Sequence, residues 1–253
     1  MLLKLFILFL LSLNVHAFDH NHTKLNEVLK KFVVRKDKQT FVKYNALKKD
    51  DKSFLEYLKE LESVKKNEFK NWDSNQRLAF LINSYNAFTI KLIIDKYPVK
   101  SIKEVGSFFK NTWKIKFIQL LGEKMHLDNI EHNLIRKNFN EPRIHFAVNC
   151  ASIGCPSLLE EAFIPTKLDD QLNLAAKNFL NNPNKNYFNS SKKELRYSKI
   201  FKWYGDDFKE KYGTFYKFIA PYLTSDSSMQ KLISENKIDS DTFDYDWNLN
   251  ELK

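Results

Sequence analysis

Residues 143–158 read RIHFAVNCASIGCPSL. The apolar run from Ile144 to Val148 ends in a loop that holds both cysteines of the chain, Cys150 and Cys155. Ala151, Ser152, Gly154 and Ser157 surround them, and Pro156 fixes the exit. An alternating run that stops at a loop of small residues predicts a buried strand that delivers a polar site to a surface. His145 lies two residues into the run. A thiol and an imidazole are the pair that nucleophilic catalysis most often combines.

Upstream, residues 75–96 carry the strongest helical signal. Asp73 or Ser74 can cap this segment, and Pro98 lies just beyond its end. Its middle, LAFLINSYNAFTIKLII, is apolar nearly all round, which predicts a helix buried in the domain. Asn83 and Asn86 share one face of it. Buried amides need partners, so they either tie down a neighbouring loop or orient a catalytic group. Helices are also expected over residues 22–35, from Asp51 or Ser53 onward, and over 101–109. Residues 113–117 and 124–127 predict two strands about a turn at Leu121-Gly122. Asp128 and Glu131 have the spacing of a capping box opening the helix DNIEHNLIRK.

Downstream, residues 169–180 predict a helix, 186–189 and 194–197 a hairpin, and 213–223 and 228–236 two further helices. Asp206-Asp207 read as caps at a helix start. The fold class is α+β: a single domain over residues 18–253, with helices packed around a small antiparallel sheet.

Residues 1–17, MLLKLFILFLLSLNVHA, have a basic start, an apolar run and small residues at the cleavage offsets of a secretory signal peptide. The expected location is therefore periplasmic or secreted. The net charge of +10 is spread over almost every segment. It suits contact with anionic envelope surfaces, while the basic stripe of a nucleic-acid binder is missing. No membrane span is expected beyond the leader. Neither a phosphate-cradling glycine loop nor a dinucleotide fingerprint is present, so no cofactor is expected.

Three readings of the cysteines follow. Cys150 can be a nucleophile, with His132 or His145 as base, Glu131 as its orienter, and Asn83 or Asn86 serving the oxyanion or the loop. The histidines all precede Cys150, so the papain-like order is reversed. In an exported protein the two cysteines can instead form a structural disulfide. A zinc site from Cys150, Cys155 and His145 is the third reading, with spacing looser than common zinc motifs.

The segments LINSYNAFTIKLII, HLDNIEHNLIR, RIHFAVNCASIGCPSL and IFKWYGDDF, in that order, resemble the marks of the family known as domain of unknown function 547. The resemblance runs from about residue 75 to 208. It implies characteristic positions at Asn83, Tyr85, Asn86, Asp128, Glu131, His132, Arg136, His145, Cys150, Cys155, Pro156, Trp203, Asp206 and Phe208. It implies a shared domain and no assigned reaction. The leading expectation is an exported thiol-dependent hydrolase or acyl transferase acting on an amide or ester. The alternative is a binding or scaffolding domain with a bridged Cys150–Cys155 pair.

Overall fold

The computed structural model describes residues 17–106 and 111–252, so residues 1–16 of the expected leader and 107–109 of the helix expected over 101–109 lie outside them. The helix that organises the rest is Ser74–Lys96, α5 in chain order. It begins at a complete capping box. The Asp73 carboxylate accepts from the Gln76 amide at 2.8 Å, and Gln76 Oε1 accepts from the Asp73 amide at 2.9 Å. Every residue from Leu78 to Ile90 is buried, as an all-round apolar helix requires.

Among the described residues four helices precede it: α1 Thr23–Phe32, α2 Tyr44–Lys49, α3 Lys52–Ser63 and α4 Lys66–Asn71. The helix expected over residues 22–35 stops at Phe32 because the β-branched Val33 and Val34 enter a hairpin. Val33–Lys36 (β1) pairs antiparallel with Gln39–Val42 (β2). α2, α3, the π-helix described below and two short 3-10 helices pack directly on α5.

A second hairpin joins Ile118–Leu120 (β3) to Glu123–Met125 (β4). Its turn residues Leu121 and Gly122 both have positive φ, 55° and 79°, the backbone that a two-residue hairpin turn demands. The strand expected at 113–117 is instead a 3-10 turn, Thr112–Lys114, started by the Asn111 side chain accepting from the Trp113 amide. Tyr187–Asn189 (β5), Glu194–Tyr197 (β6) and Asp239–Thr242 (β7) form a mixed sheet, with β7 parallel to β6. The architecture is α+β, and its strands are divided among three small sheets rather than gathered into one antiparallel sheet.

The apolar run from Ile144 to Val148 is also not a strand. Pro142–Phe146 is a 3-10 helix. Glu141 caps it by accepting from the Arg143 amide at 3.1 Å, and Pro142 occupies its first turn. Glu-Pro is a helix-start signal, and here it outweighs the apolar alternation that follows. Phe146 projects from it into an aromatic centre. Its ring lies within 6 Å, centroid to centroid, of Phe179 of α6 (Leu168–Leu180), Phe201 and Phe208 of α7 (Lys199–Tyr212), and Phe218 of α8 (Phe215–Leu223).

The segment after β7 runs back across the molecule. Ile153 and Gly154 amides donate to the carbonyls of Asn248 and Asp246, and Leu252 and Val42 are joined through their backbones. A Cβ at Gly154 would come within 2.9 Å of Asp246 O and the Tyr245 ring, so only glycine admits this crossing. Among the described residues no helix is long and apolar enough to cross a membrane.

His22, at the N-terminus of α1, is buried, with Nδ1 2.7 Å from the Tyr57 hydroxyl of α3. Burial pushes its pKa down from 6.5 to about 3. A depressed histidine contributes stability that is complete above the unfolded value and is lost as pH falls toward the folded one. The melting temperature should therefore fall between pH 6.5 and 4.5. His22→Gln should flatten that dependence, as read by thermal melts at half-unit pH steps.

Candidate functional site

The π-helix Asn129–Arg136 supplies the polar floor of the site. Its start differs from the expected capping box, since Asp128 makes no capping hydrogen bond. His126 and Asn129 perform that role reciprocally: the Asn129 amide donates to His126 Nδ1 at 3.1 Å, and the His126 amide to Asn129 Oδ1 at 3.3 Å. His126 Nδ1 is thereby occupied by backbone. A π-helix is a rare widening that recurs at functional sites.

Two side chains from two other elements meet at Asp207. Arg136 donates to both its oxygens, Nε to Oδ2 at 2.7 Å and Nη2 to Oδ1 at 2.6 Å. His145 Nε2–H donates to Oδ2 at 2.7 Å. Burial alone would raise the Asp207 carboxyl, but the bonds from Arg136 and His145 outweigh it and hold it well below the usual carboxylate range. Burial lowers the pKa of His145, against the pull of Asp207. Arg136 Nη1 also donates to His132 Nδ1 at 2.9 Å, which leaves the ring proton of neutral His132 on Nε2, 4.0 Å from Asp128. Tyr204 stacks on the His145 ring at 3.9 Å.

Asp207 is therefore not a helix cap. The helix starts earlier, at Lys199 with Ser198 as its cap, and Asp206-Asp207 fall in its interior just past a kink at Tyr204. The carboxylate that orients His145 is Asp207, and Glu131 has another place. Glu131 is 5% exposed and faces the hydroxyls of Tyr85 and Tyr204, both of which burial first and Glu131 second hold protonated.

Asn83 and Asn86 both tie down loop backbone. Asn83 Nδ2 donates to Phe163 O at 2.7 Å, and its Oδ1 accepts from the Phe163 amide at 3.0 Å. Asn86 Nδ2 donates to Ala147 O at 2.9 Å, and its Oδ1 accepts from the Asn149 amide at 2.8 Å. Asn149 continues the chain of amides. Its Oδ1 accepts from the Ala151 amide at 2.8 Å, and its Nδ2 donates to Pro156 O at 2.7 Å. Asn250 Nδ2 reaches Asn149 Oδ1 at 3.4 Å, and the Tyr44 hydroxyl donates to Asn250 Oδ1 at 2.7 Å.

This framework presents Cys150 and Cys155, joined as a disulfide with Cα atoms 6.0 Å apart. The Tyr245 hydroxyl lies 3.2 Å from each sulfur and Ser152 Oγ 3.1 Å from Cys150 Sγ. Among the described residues no histidine nitrogen is within hydrogen-bonding distance of either sulfur. The donor set weighed for zinc is used otherwise, with both sulfurs in the bridge and His145 on Asp207. Behind the bridge Lys185 donates to Cys155 O and, at 2.6 Å, to Gln39 Oε1, and burial pushes its pKa down to about 7.

Cys150, Cys155, Glu131, His132 and His145 all line one cavity of about 380 Å³. Asn83 and Asn86 stand behind it. Trp113, Trp203, Tyr204, Tyr245 and Trp247 complete its wall.

Residues 69–180 match the model of the family described as "Protein of unknown function, DUF547". This segment belongs to that family. Three of the four resembling motifs fall inside the DUF547 segment, and IFKWYGDDF lies beyond it. The floor of the cavity is thus within the DUF547 segment, whereas Trp203, Tyr204, Tyr245 and Trp247 are outside it. No curated protein and no solved structure matched the chain.

Asn86→Ala strands the Asn149 amide and the Ala147 carbonyl, two buried groups, and should cost about 1–3 kcal/mol. Asp207→Ala leaves Arg136 and His145 without their common acceptor and should cost about 3 kcal/mol. Denaturant unfolding measures both.

Proposed function

We propose that the protein is an exported ligand-binding domain, whose cavity takes a small organic molecule and whose Cys150–Cys155 disulfide is part of the cavity wall. The observation that carries this reading is the engagement of the thiol, both histidines and both amides that a thiol mechanism would call on. Cys150 Sγ is bonded to Cys155, His145 is committed to Asp207, His132 accepts from Arg136, and the amides of Asn83 and Asn86 hold loop backbone. A mostly aromatic concave surface with a few fixed polar groups is what small-molecule sites use. The export expected from residues 1–17 would suit the reading, because a disulfide persists outside the reducing cytosol. The diffuse positive charge would keep such a domain near anionic envelope surfaces.

The second reading is the thiol-dependent hydrolase or acyl transferase, with Cys150 as nucleophile. One observation favours it: Cys150 lines the cavity beside Ser152 and Tyr245 hydroxyls, which would donate hydrogen bonds to a thiolate after reduction of the bridge.

Alkylation of the natively exported protein, without reductant, separates the two. The binding reading expects no labelling of either cysteine until a dithiol is added. It also expects Cys150→Ser and Cys155→Ser to lower stability by similar amounts, since either loses the same bridge. Rapid labelling of Cys150 at mildly acidic pH would replace it with the thiol enzyme.

A further inference from the structure

The protein carries a net charge of +10, with 41 lysines and arginines among 253 residues. About one in six residues is therefore a fixed cation. Yet among the described residues the sixteen that line the cavity include no lysine and no arginine, but do include Asp128 and Glu131. Three of the four tryptophans of the chain also line it. The largest concentration of indole rings and an acidic floor thus coincide on a basic protein.

Glu131 sharpens the point. It is 95% removed from solvent by its 5% exposure, it faces the cavity, and among the described residues no ion pair reaches it. Its neighbours are the neutral hydroxyls of Tyr85 and Tyr204. The Arg136 guanidinium, whose charge is felt at Glu131, is spent on both oxygens of Asp207. A buried carboxylate without a cation is costly, and a ligand that brings the cation removes that cost.

The wall has the matching chemistry. Trp113, Trp247, Tyr245 and Trp203 form a continuous series with centroids 4.5–5.9 Å apart and planes inclined by 32–70°. Inclined rings present several π faces to a compact group, whereas a sugar ring asks for one flat platform. Trp247 already accepts a cation: Lys103 Nζ lies 3.8 Å from its ring centre, though Lys103 does not line the cavity.

We propose that the cavity takes an organic cation, an alkylated ammonium group seated against the Trp203–Tyr245–Trp247 wall with Glu131 as its counter-charge. This rests on the ligand-binding reading of the same cavity. At about 380 Å³ the cavity holds the ammonium group and a modest organic body.

Titration calorimetry of the disulfide-bonded protein with choline, phenyltrimethylammonium and the neutral carbon isostere 3,3-dimethylbutan-1-ol tests the assignment. Both cations should bind, with the isostere at least tenfold weaker. Glu131→Gln should weaken the cations at least tenfold and leave the isostere unchanged. Asp128→Asn provides the same reading, at smaller amplitude, if Glu131→Gln does not fold. Equal binding of cation and isostere overturns the charge recognition and leaves a small-molecule site standing. Binding of neutral oligosaccharides with none of the cations also overturns it. Failure of a broad set of small cations, anions and neutral fragments to bind overturns the ligand-binding reading as well.

Discussion

The carboxamide of Asn86 fixes two backbone groups that lie two residues apart, donating to Ala147 O and accepting from the Asn149 amide. That double contact anchors a loop to a helix buried all round from Leu78 to Ile90. The loop carries Asn149, which anchors Ala151 and Pro156 in turn. Ala151 adopts a positive φ of 59°, a backbone state that is expensive outside glycine unless its surroundings hold it. Here the surroundings are buried amides paired at both ends. Asn86 thus holds the start of the loop that carries the disulfide, and the backbone bonds of Ile153 and Gly154 to Asn248 and Asp246 hold its far side.

Electrostatically the site is divided in two. On one side Arg136, Asp207 and His145 satisfy one another, so that one cation and one anion cancel and the imidazole is fixed in a single tautomer. On the other, Glu131 and Asp128 face the cavity without a matching fixed cation among the described residues. Burial raises the Asp128 carboxyl, with His132 pulling the other way. The first cluster is closed to a ligand and the second is open to one.

The helix at residues 74–96 was legible because a capping box, an apolar run and a proline all agree there. The cysteine loop was legible as a polar site because small residues flank it. The element feeding it was misread: five apolar residues fit strand and 3-10 helix alike, and Glu141-Pro142 decides between them. Asp207 escaped because the start of its helix was placed too late, which turned an interior carboxylate into a cap. Ser198, three residues before Phe201, was the signal that would have moved it. Tyr245 and Trp247 left no local signal at all. Tyr245 meets Cys150 across a separation of 95 residues and carries Trp247 beside it, and no periodicity reports such a contact.

That separation has a consequence for the order in which the molecule comes together. The helix carrying Asn86 and the loop it holds can meet by closing a stretch of about sixty residues, a modest entropic cost. The aromatic wall must wait for β7 to join β6 and for residues 245–252 to cross the disulfide loop and reach Val42. During synthesis the polar floor therefore stands open while the segment that roofs it is still being made. The cavity is the product of the longest-range closure in the fold, and long-range closures are the slow ones.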